Sequence, residues 1–206
     1  MLRILVILSA TFALAALTLQ VIRTFSFGKK PVYSRAQGSA TKGILYAFGQ
    51  GMMPWEKEST AKHLPTYFAG VLYHLGVIAS FIALFTSLIQ IMVPHGFIYF
   101  LRITLMLGIA SGIGLMAKRV SLNYMRAISC ADDFVSNSLV TLFSVSALLA
   151  LFRVSLIPMF HGASIILFLY IPFGKIRHCI FFFYSRILFG QFFGRRGVLP
   201  HRSSEA

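Results

Sequence analysis

Acidic side chains are almost missing from this chain: five Asp and Glu stand against nineteen Lys and Arg in 206 residues, a formal net charge of +14. Charge of either sign is scarce, at 12% of residues. Such a balance could suit nucleic acid, but the basic residues are separated by long apolar runs and form no stripe with interleaved aromatics, so a nucleic-acid partner is not expected. Cysteine is nearly absent as well. Cys130 and Cys179 make no CxxC or CxxCH spacing, which leaves a structural zinc site, an iron–sulfur cluster and covalent haem c without their ligands. P-loop, GxGxxG, HExxH and GxSxG patterns are also lacking, so phosphate transfer, dinucleotide binding and zinc or serine hydrolysis have no visible machinery. There is no internal repeat and no low-complexity tract.

What the chain has instead is hydrocarbon. It is 57% hydrophobic and 15% aromatic, with a mean hydropathy of +0.79, well outside the range of soluble domains. Runs that approach the roughly 20 residues needed to cross a hydrocarbon core lie near 4–22, 66–92, 97–117, 134–152 and 157–176. The expected fold is therefore an all-α integral membrane bundle of five helices. The first run could also be a cleaved signal peptide, since Arg3 precedes an Ala-rich stretch, but its length suits a span better than a signal-peptide h-region.

Positive residues in short loops mark the cytoplasmic side. Seven lie between the first two runs (Arg23, Lys29, Lys30, Arg35, Lys42, Lys57, Lys62), three follow the third (Lys118, Arg119, Arg126) and six follow the hydrophobic part of the fifth (Lys175, Arg177, Arg186, Arg195, Arg196, Arg202). Only Arg3, Arg102 and Arg153 fall on or near the other side. This pattern predicts an outside N-terminus and a cytoplasmic C-terminus. Residues 23–65, punctuated by Gly28, Pro31, Gly38, Gly51 and Pro54, read as a cytoplasmic loop with room for a docking role. Residues 177–206 read as a cytoplasmic tail in which Phe181 to Val198 interleaves aromatics with Arg186, Arg195 and Arg196, like an amphipathic helix on a membrane surface.

Ionisable groups inside a bilayer are costly, and each is a functional candidate. The set is His74, His161, His178 and Arg102. His74 sits about 14 Å of helical rise from the cytoplasmic end of the second run, and His178 near the cytoplasmic end of the fifth, so antiparallel helices bring them towards one level. Two neutral imidazoles across a porphyrin complete six-coordinate iron, which favours one-electron transfer and leaves no site for oxygen. Gly70 and Gly76 flank His74 at helical spacing and would let a flat macrocycle approach the backbone. Lys175 and Arg177 could meet propionates or snorkel to headgroups. Arg102 could hydrogen-bond a quinone carbonyl or a haem propionate, with His161 as proton acceptor beside it, or could snorkel outward; Arg153 reads as an interfacial anchor. Asp132 and Asp133 are explained by capping of the fourth helix, and Gly108, Gly112 and Gly114 by close helix packing.

These residues resemble a known group: the gamma subunit of respiratory nitrate reductase and the related membrane cytochrome b subunits of heterodisulfide reductase and of the sulfite-reductase-linked membrane complex. The likeness covers most of the chain. It is most specific in Tyr73-His74-Leu75-Gly76 and in Pro172-Phe173 followed by Lys175 and Arg177-His178, with further likeness in Ala131-Asp132-Asp133-Phe134 through Asn137 and in Glu58-Ser59 through His63-Leu64-Pro65. The resemblance implies that His74 and His178 are metal ligands holding a haem b near a cytoplasmic iron–sulfur subunit. It also implies a multi-pass protein of a bacterial or archaeal cytoplasmic membrane.

The chain departs from the two-haem pattern, which has a second His about three turns outward on the second helix, where Ala83, Leu84 and Phe85 stand here. His161 approximates the outer ligand of the fifth helix, but its spacing of 17 from His178 rotates it by about 100° on an ideal helix, unless a kink at Pro172 corrects this. One haem is the main expectation. A second remains open through His161 with His95, or through a re-pairing of His63 with His178 and His74 with His161. The expected function is transfer of electrons between quinone or quinol and the iron–sulfur partner, in either direction, as the electron-transfer subunit of an enzyme completed by other chains. Two other classes fit the same sequence: a small helical transporter or channel with His74 and His161 as proton-relay residues, and a cofactor-free membrane anchor.

Overall fold

The structure, a computed structural model, describes residues 1–27, 35–56 and 58–199. Gly28, Lys29, Lys30, Pro31, Lys57 and Arg202 lie outside the described residues, as do the side chains of Glu58 and Ser59. All regular structure among the described residues is helical: α1 (Leu2–Ser26), α2 (Ala40–Phe48), α3 (Glu58–Ala61), α4 (Leu64–Ile89), α5 (His95–Ser121), α6 (Asn123–Ala127), α7 (Ala131–Phe152), α8 (Ile157–Tyr170) and α9 (His178–Arg196), joined by short 3-10 turns.

Four of these, α1, α4, α5 and α7, are long and apolar enough to cross a membrane, and a fifth span results if the interrupted pair Val154–Tyr170 and Lys175–Arg196 counts as one. Only 22 to 28% of the most apolar window of each of the four is buried within the protein. Apolar surface on this scale is not sustained in water, and the helices are compatible with a multi-pass membrane protein. Their hydroxyls are satisfied locally, as hydrocarbon requires: Ser9 donates to the Val6 carbonyl at 2.9 Å, Thr11 to Ile7 at 2.8 Å and Thr104 to Phe100 at 2.9 Å.

The chain divides into two compact units, 1–18 with 65–177 and 19–64 with 178–206. In the first, α4 crosses α5 at a glycine pair. A Cβ on Gly76 would lie 2.7 Å from the Gly108 Cα, and one on Gly112 would lie 2.5 Å from the Tyr73 ring, so the small residues let backbone and ring make contact. Helices α4 and α7 run parallel, fastened by polar side chains seven residues apart on α4. The Tyr73 hydroxyl donates to the Asn137 carbonyl at 3.1 Å and lies 3.2 Å from Thr141 Oγ1; one repeat further on, Ser80 Oγ meets Ser144 Oγ at 3.0 Å. Between these bonds the core is aromatic, with Phe143 stacked on Phe160 at 5.4 Å between centroids and Phe81 tilted against Phe143 at 5.1 Å.

The second unit is built on α2 and α9. Within the segment expected as a loop, Ser39 caps α2 by accepting from the Lys42 N–H at 3.4 Å, and Gly43 meets α9 at Gly190 and Gly194, where a Cβ on Gly194 would lie 2.6 Å from the Gly43 Cα. The N–H groups of Gln37 and Gly38 both donate to the Arg195 carbonyl at 3.0 Å. Gly197, at φ +67, ends α9 in the left-handed conformation that glycine adopts at low cost. Arg186 and Arg196 lie over the rings of Phe182 and Phe192, one turn back.

Candidate functional site

His74 lies on the exposed face of α4, beside Val71, Leu75 and Ile78. Its Nδ1 is 2.7 Å from the Gly70 carbonyl. A carbonyl oxygen only accepts, so Nδ1 carries a proton, as it does in a metal-ligating imidazole held by a backbone carbonyl. The two flanking glycines do different things. At Gly70 a Cβ would meet nothing within 4 Å, so the notch one turn before His74 is open. Gly76, expected to open the same face, is instead filled by the Gly108 backbone and serves helix packing.

His178 is the first residue of α9 and is exposed. It belongs to the second compact unit, His74 to the first.

His161 is buried, 2% exposed, and is held across helices. Ser87 donates its hydroxyl to the Leu84 carbonyl at 2.8 Å, so the 3.1 Å contact between Ser87 Oγ and His161 Nε2 has the imidazole N–H as donor. In this arrangement Nε2 is protonated and engaged with serine, and the residue ties α8 to α4. Ser87 was not singled out from the sequence. The signal that could have found it is the seven-residue spacing of Tyr73, Ser80 and Ser87, each of which bonds across helices.

Arg102 closes α7. One terminal nitrogen donates to the Leu151 carbonyl at 2.5 Å, and the guanidinium lies 4.3 Å from the Phe152 ring centroid and 5.5 Å from that of Tyr99. Its Nε is buried without a hydrogen-bond partner. Arg153 is exposed, and its backbone N–H completes the same helix end by donating to Leu149 at 2.9 Å. A groove of about 580 Å³ does occur in this unit, along α5 and α7, with Asn137, Ser138 and Thr141 as its polar wall; neither Arg102 nor His161 lines it. His95, at the start of α5, and His63, in the turn after α3, are exposed.

Asp132 and Asp133 do more than cap. Asp133 accepts from the Cys130 N–H at 2.9 Å, as a capping carboxylate should. It also pairs with Lys175 Nζ at 2.7 Å and Arg119 at 3.3 Å. Asp132 accepts the Tyr170 hydroxyl, the Lys175 N–H at 2.8 Å and the Ser136 hydroxyl at 3.3 Å. Lys175 is thus engaged by protein carboxylate, a third possibility beside propionates and headgroups.

Comparison with family models, with curated proteins and with solved structures returned no match. The geometry above and the sequence resemblance are what bear on function.

Proposed function

We propose that this chain is a membrane cytochrome b subunit, binding haem b through His74 and His178 and exchanging electrons between membrane quinone or quinol and a cytoplasmic iron–sulfur partner. The observation that carries the reading is the His74 imidazole, whose Nδ1–H is anchored on the Gly70 carbonyl and which stands beside an open glycine notch on the exposed face of α4. That arrangement fits a haem ligand: an imidazole fixed at Nδ1 by a backbone carbonyl and room for a flat macrocycle at one side. Bound between two imidazoles, the haem would supply one-electron chemistry without an open coordination site. The protein's part is to hold the His74 ring at a fixed rotation, to leave space at Gly70 and to exclude water with the surrounding aliphatic side chains.

A single haem is favoured because His161 already donates through Nε2 to Ser87. Quinone remains part of the proposal. Arg102 would take part in its binding only by giving up the Leu151 carbonyl.

Orientation with the N-terminus outside is supported within the first unit. Lys118 donates to Thr66 at one end of the bundle, where Arg119 and Lys175 also converge on Asp133, while Arg102 and Arg153 sit at the opposite end of α5 and α7. Counting Arg126 and Arg177 with the first group and Arg3 with the second, five cations stand at one end and three at the other, in agreement with cytoplasmic retention of the more basic end. The sequence resemblance extends the proposal to a bacterial or archaeal cytoplasmic membrane.

The test is a dithionite-reduced minus oxidised spectrum of the purified protein. A b-type alpha band is expected, lost in both His74→Ala and His178→Ala, with a pyridine haemochrome ratio near one per chain. No band in the wild type overturns the reading and leaves the transporter and anchor classes; a ratio near two overturns the haem count.

A further inference from the structure

The two residues expected beside a quinone are engaged elsewhere. Arg102 donates to the Leu151 carbonyl and His161 to Ser87, and neither lines the groove of about 580 Å³ along α5 and α7. That volume lies within the roughly 300 to 1,000 Å³ of ordinary small-molecule sites. Its two walls differ in chemistry. Ile113, Met116 and Val120 of α5 form an apolar wall, and Asn137, Ser138 and Thr141 of α7 a polar one. Asn137 lies six residues in from Ala131, about 9 Å of helical rise from the end of the span where Arg119 meets Asp133. That depth suits a polar ring held beneath the headgroups, with its apolar tail running towards the bilayer centre.

The polar wall offers donors that the protein does not use. The Asn137 amide is fixed by its neighbours: Oδ1 accepts the Thr141 hydroxyl at 3.2 Å, and Nδ2 donates to the Gly112 carbonyl at 3.4 Å. A carbonyl only accepts, so the amide cannot be turned over, and the second N–H on Nδ2 has no partner among the described residues. Hydroxyls elsewhere in the spans bond back to their own helix, as those of Ser9, Ser146 and Ser164 do at 2.7 to 2.9 Å. Ser138 is exposed on α7 and makes no such bond among the described residues. An unpaired donor facing hydrocarbon is costly, so these two adjacent residues call for an acceptor.

The acceptor they suit is uncharged. Among the described residues no cation lines the groove, and Lys118 and Arg119, at the same end of α5, are bonded to Thr66 and Asp133. A phosphate headgroup would find no counter-charge there, whereas a neutral carbonyl needs only hydrogen bonds. The polar wall is also joined to the candidate haem ligand. The Tyr73 hydroxyl donates to the Asn137 carbonyl at 3.1 Å, and the Tyr73 ring centroid lies 6.3 Å from that of His74.

We propose that the groove between α5 and α7 is a quinone site, in which a ring carbonyl accepts from Asn137 Nδ2 and Ser138 Oγ and the isoprenoid tail lies along Ile113 and Met116. The choice of quinone among neutral carbonyl ligands rests on the electron-transfer reading given above; the groove and its donors do not.

The test photolabels the full-length chain, in phosphatidylcholine nanodiscs, with an azido-benzoquinone bearing a short isoprenoid tail, and maps the labelled peptides by mass spectrometry. Saturable labelling is expected within 113–121 or 137–141, displaced by the unlabelled quinone. Ala117 also lines the groove and is exposed, so Ala117→Phe fills the space without entering the core and should raise the half-saturating concentration about ten-fold. Ser138→Ala removes one hydrogen bond and should raise it about five-fold. Leu107→Phe, exposed on α5 outside the groove, should leave it unchanged. Should Ala117→Phe fail to fold, Ser138→Ala carries the comparison. Displacement of the probe by diacylglycerol or phosphatidylglycerol would make the groove a lipid site and overturn the proposal, as would labelling beside Arg102 or labelling that neither variant weakens. The measurement needs no haem. A chain without a b-type band that labels in the groove overturns the haem reading and keeps the site; a chain with the band that does not label there overturns the site alone; a chain with neither overturns both.

Discussion

Gly76 and Gly108 touch backbone to backbone where α4 crosses α5, so closely that a Cβ on either would lie within 2.7 Å of the other's Cα. Backbone cannot yield as a flexible side chain can. Gly76→Val or Gly108→Val is therefore expected to separate the helices and cost about 2 kcal/mol, typical of overpacking, seen as a lower unfolding temperature in detergent. Gly70→Ala, on the open side of His74, should leave stability nearly unchanged. Equal losses at Gly70 and Gly76 would mean that the crossing is not where the structure has it.

Ser80 and Ser144 form the second rung between the parallel helices α4 and α7. Hydrogen bonds between membrane helices average about 0.6 kcal/mol, and a double-mutant cycle of Ser80→Ala and Ser144→Ala should return a coupling of about that size. Additive losses would show that the two hydroxyls do not hold the helices together.

His161 and Ser87 give a sharper test because two roles compete for one nitrogen. As an interhelical donor, His161→Ala and Ser87→Ala should each destabilise the fold by about 1 kcal/mol, non-additively, and both should keep most of the b-type band. A ligand role for His161 predicts loss of absorbance in His161→Ala but not in Ser87→Ala.

Tyr46 lies outside the apolar spans, and its hydroxyl donates to Glu56 at 3.2 Å while Gln50 donates to the other Glu56 oxygen at 2.8 Å. Burial, and then the neighbouring Glu56 carboxylate, push the phenol above its ordinary value of 10.0. The unfolded chain thus releases this proton first. The stability tied to Tyr46 is present in full below pH 10 and is lost as pH rises through the raised folded value. Tyr46→Phe should flatten that alkaline loss in a pH series of unfolding curves, and an unchanged slope would remove Tyr46 as its cause.

Much of the architecture was legible in residues. Helices α1, α4, α5 and α7 each coincide with an apolar run, because in hydrocarbon a long apolar segment must satisfy its own backbone. Gly108 and Gly112 announced close packing, though not that Gly76 would be a partner; Gly114, expected to extend the contact, faces open space. Residues 40–48 did not read as a helix, since α2 has no apolar run long enough to stand out and depends on glycine contacts with α9. Gly190 and Gly194 stand among aromatics that read as membrane-surface residues, and their contacts with Gly43 and Ile44 are set by packing between segments far apart in sequence.

The composition by itself determined that the regular structure is helical and that several helices are apolar enough to cross a bilayer, since period and hydrophobicity are local properties of the chain. It also supplied the histidines worth testing. Tertiary structure alone decided what the polar groups do: that His161 donates to Ser87, that Arg102 closes α7, and that Asp132 reaches 38 residues along the chain to Tyr170 and 43 to Lys175. A hydrogen bond depends on which donor lies within about 3 Å, and for residues far apart in sequence that distance is set by packing.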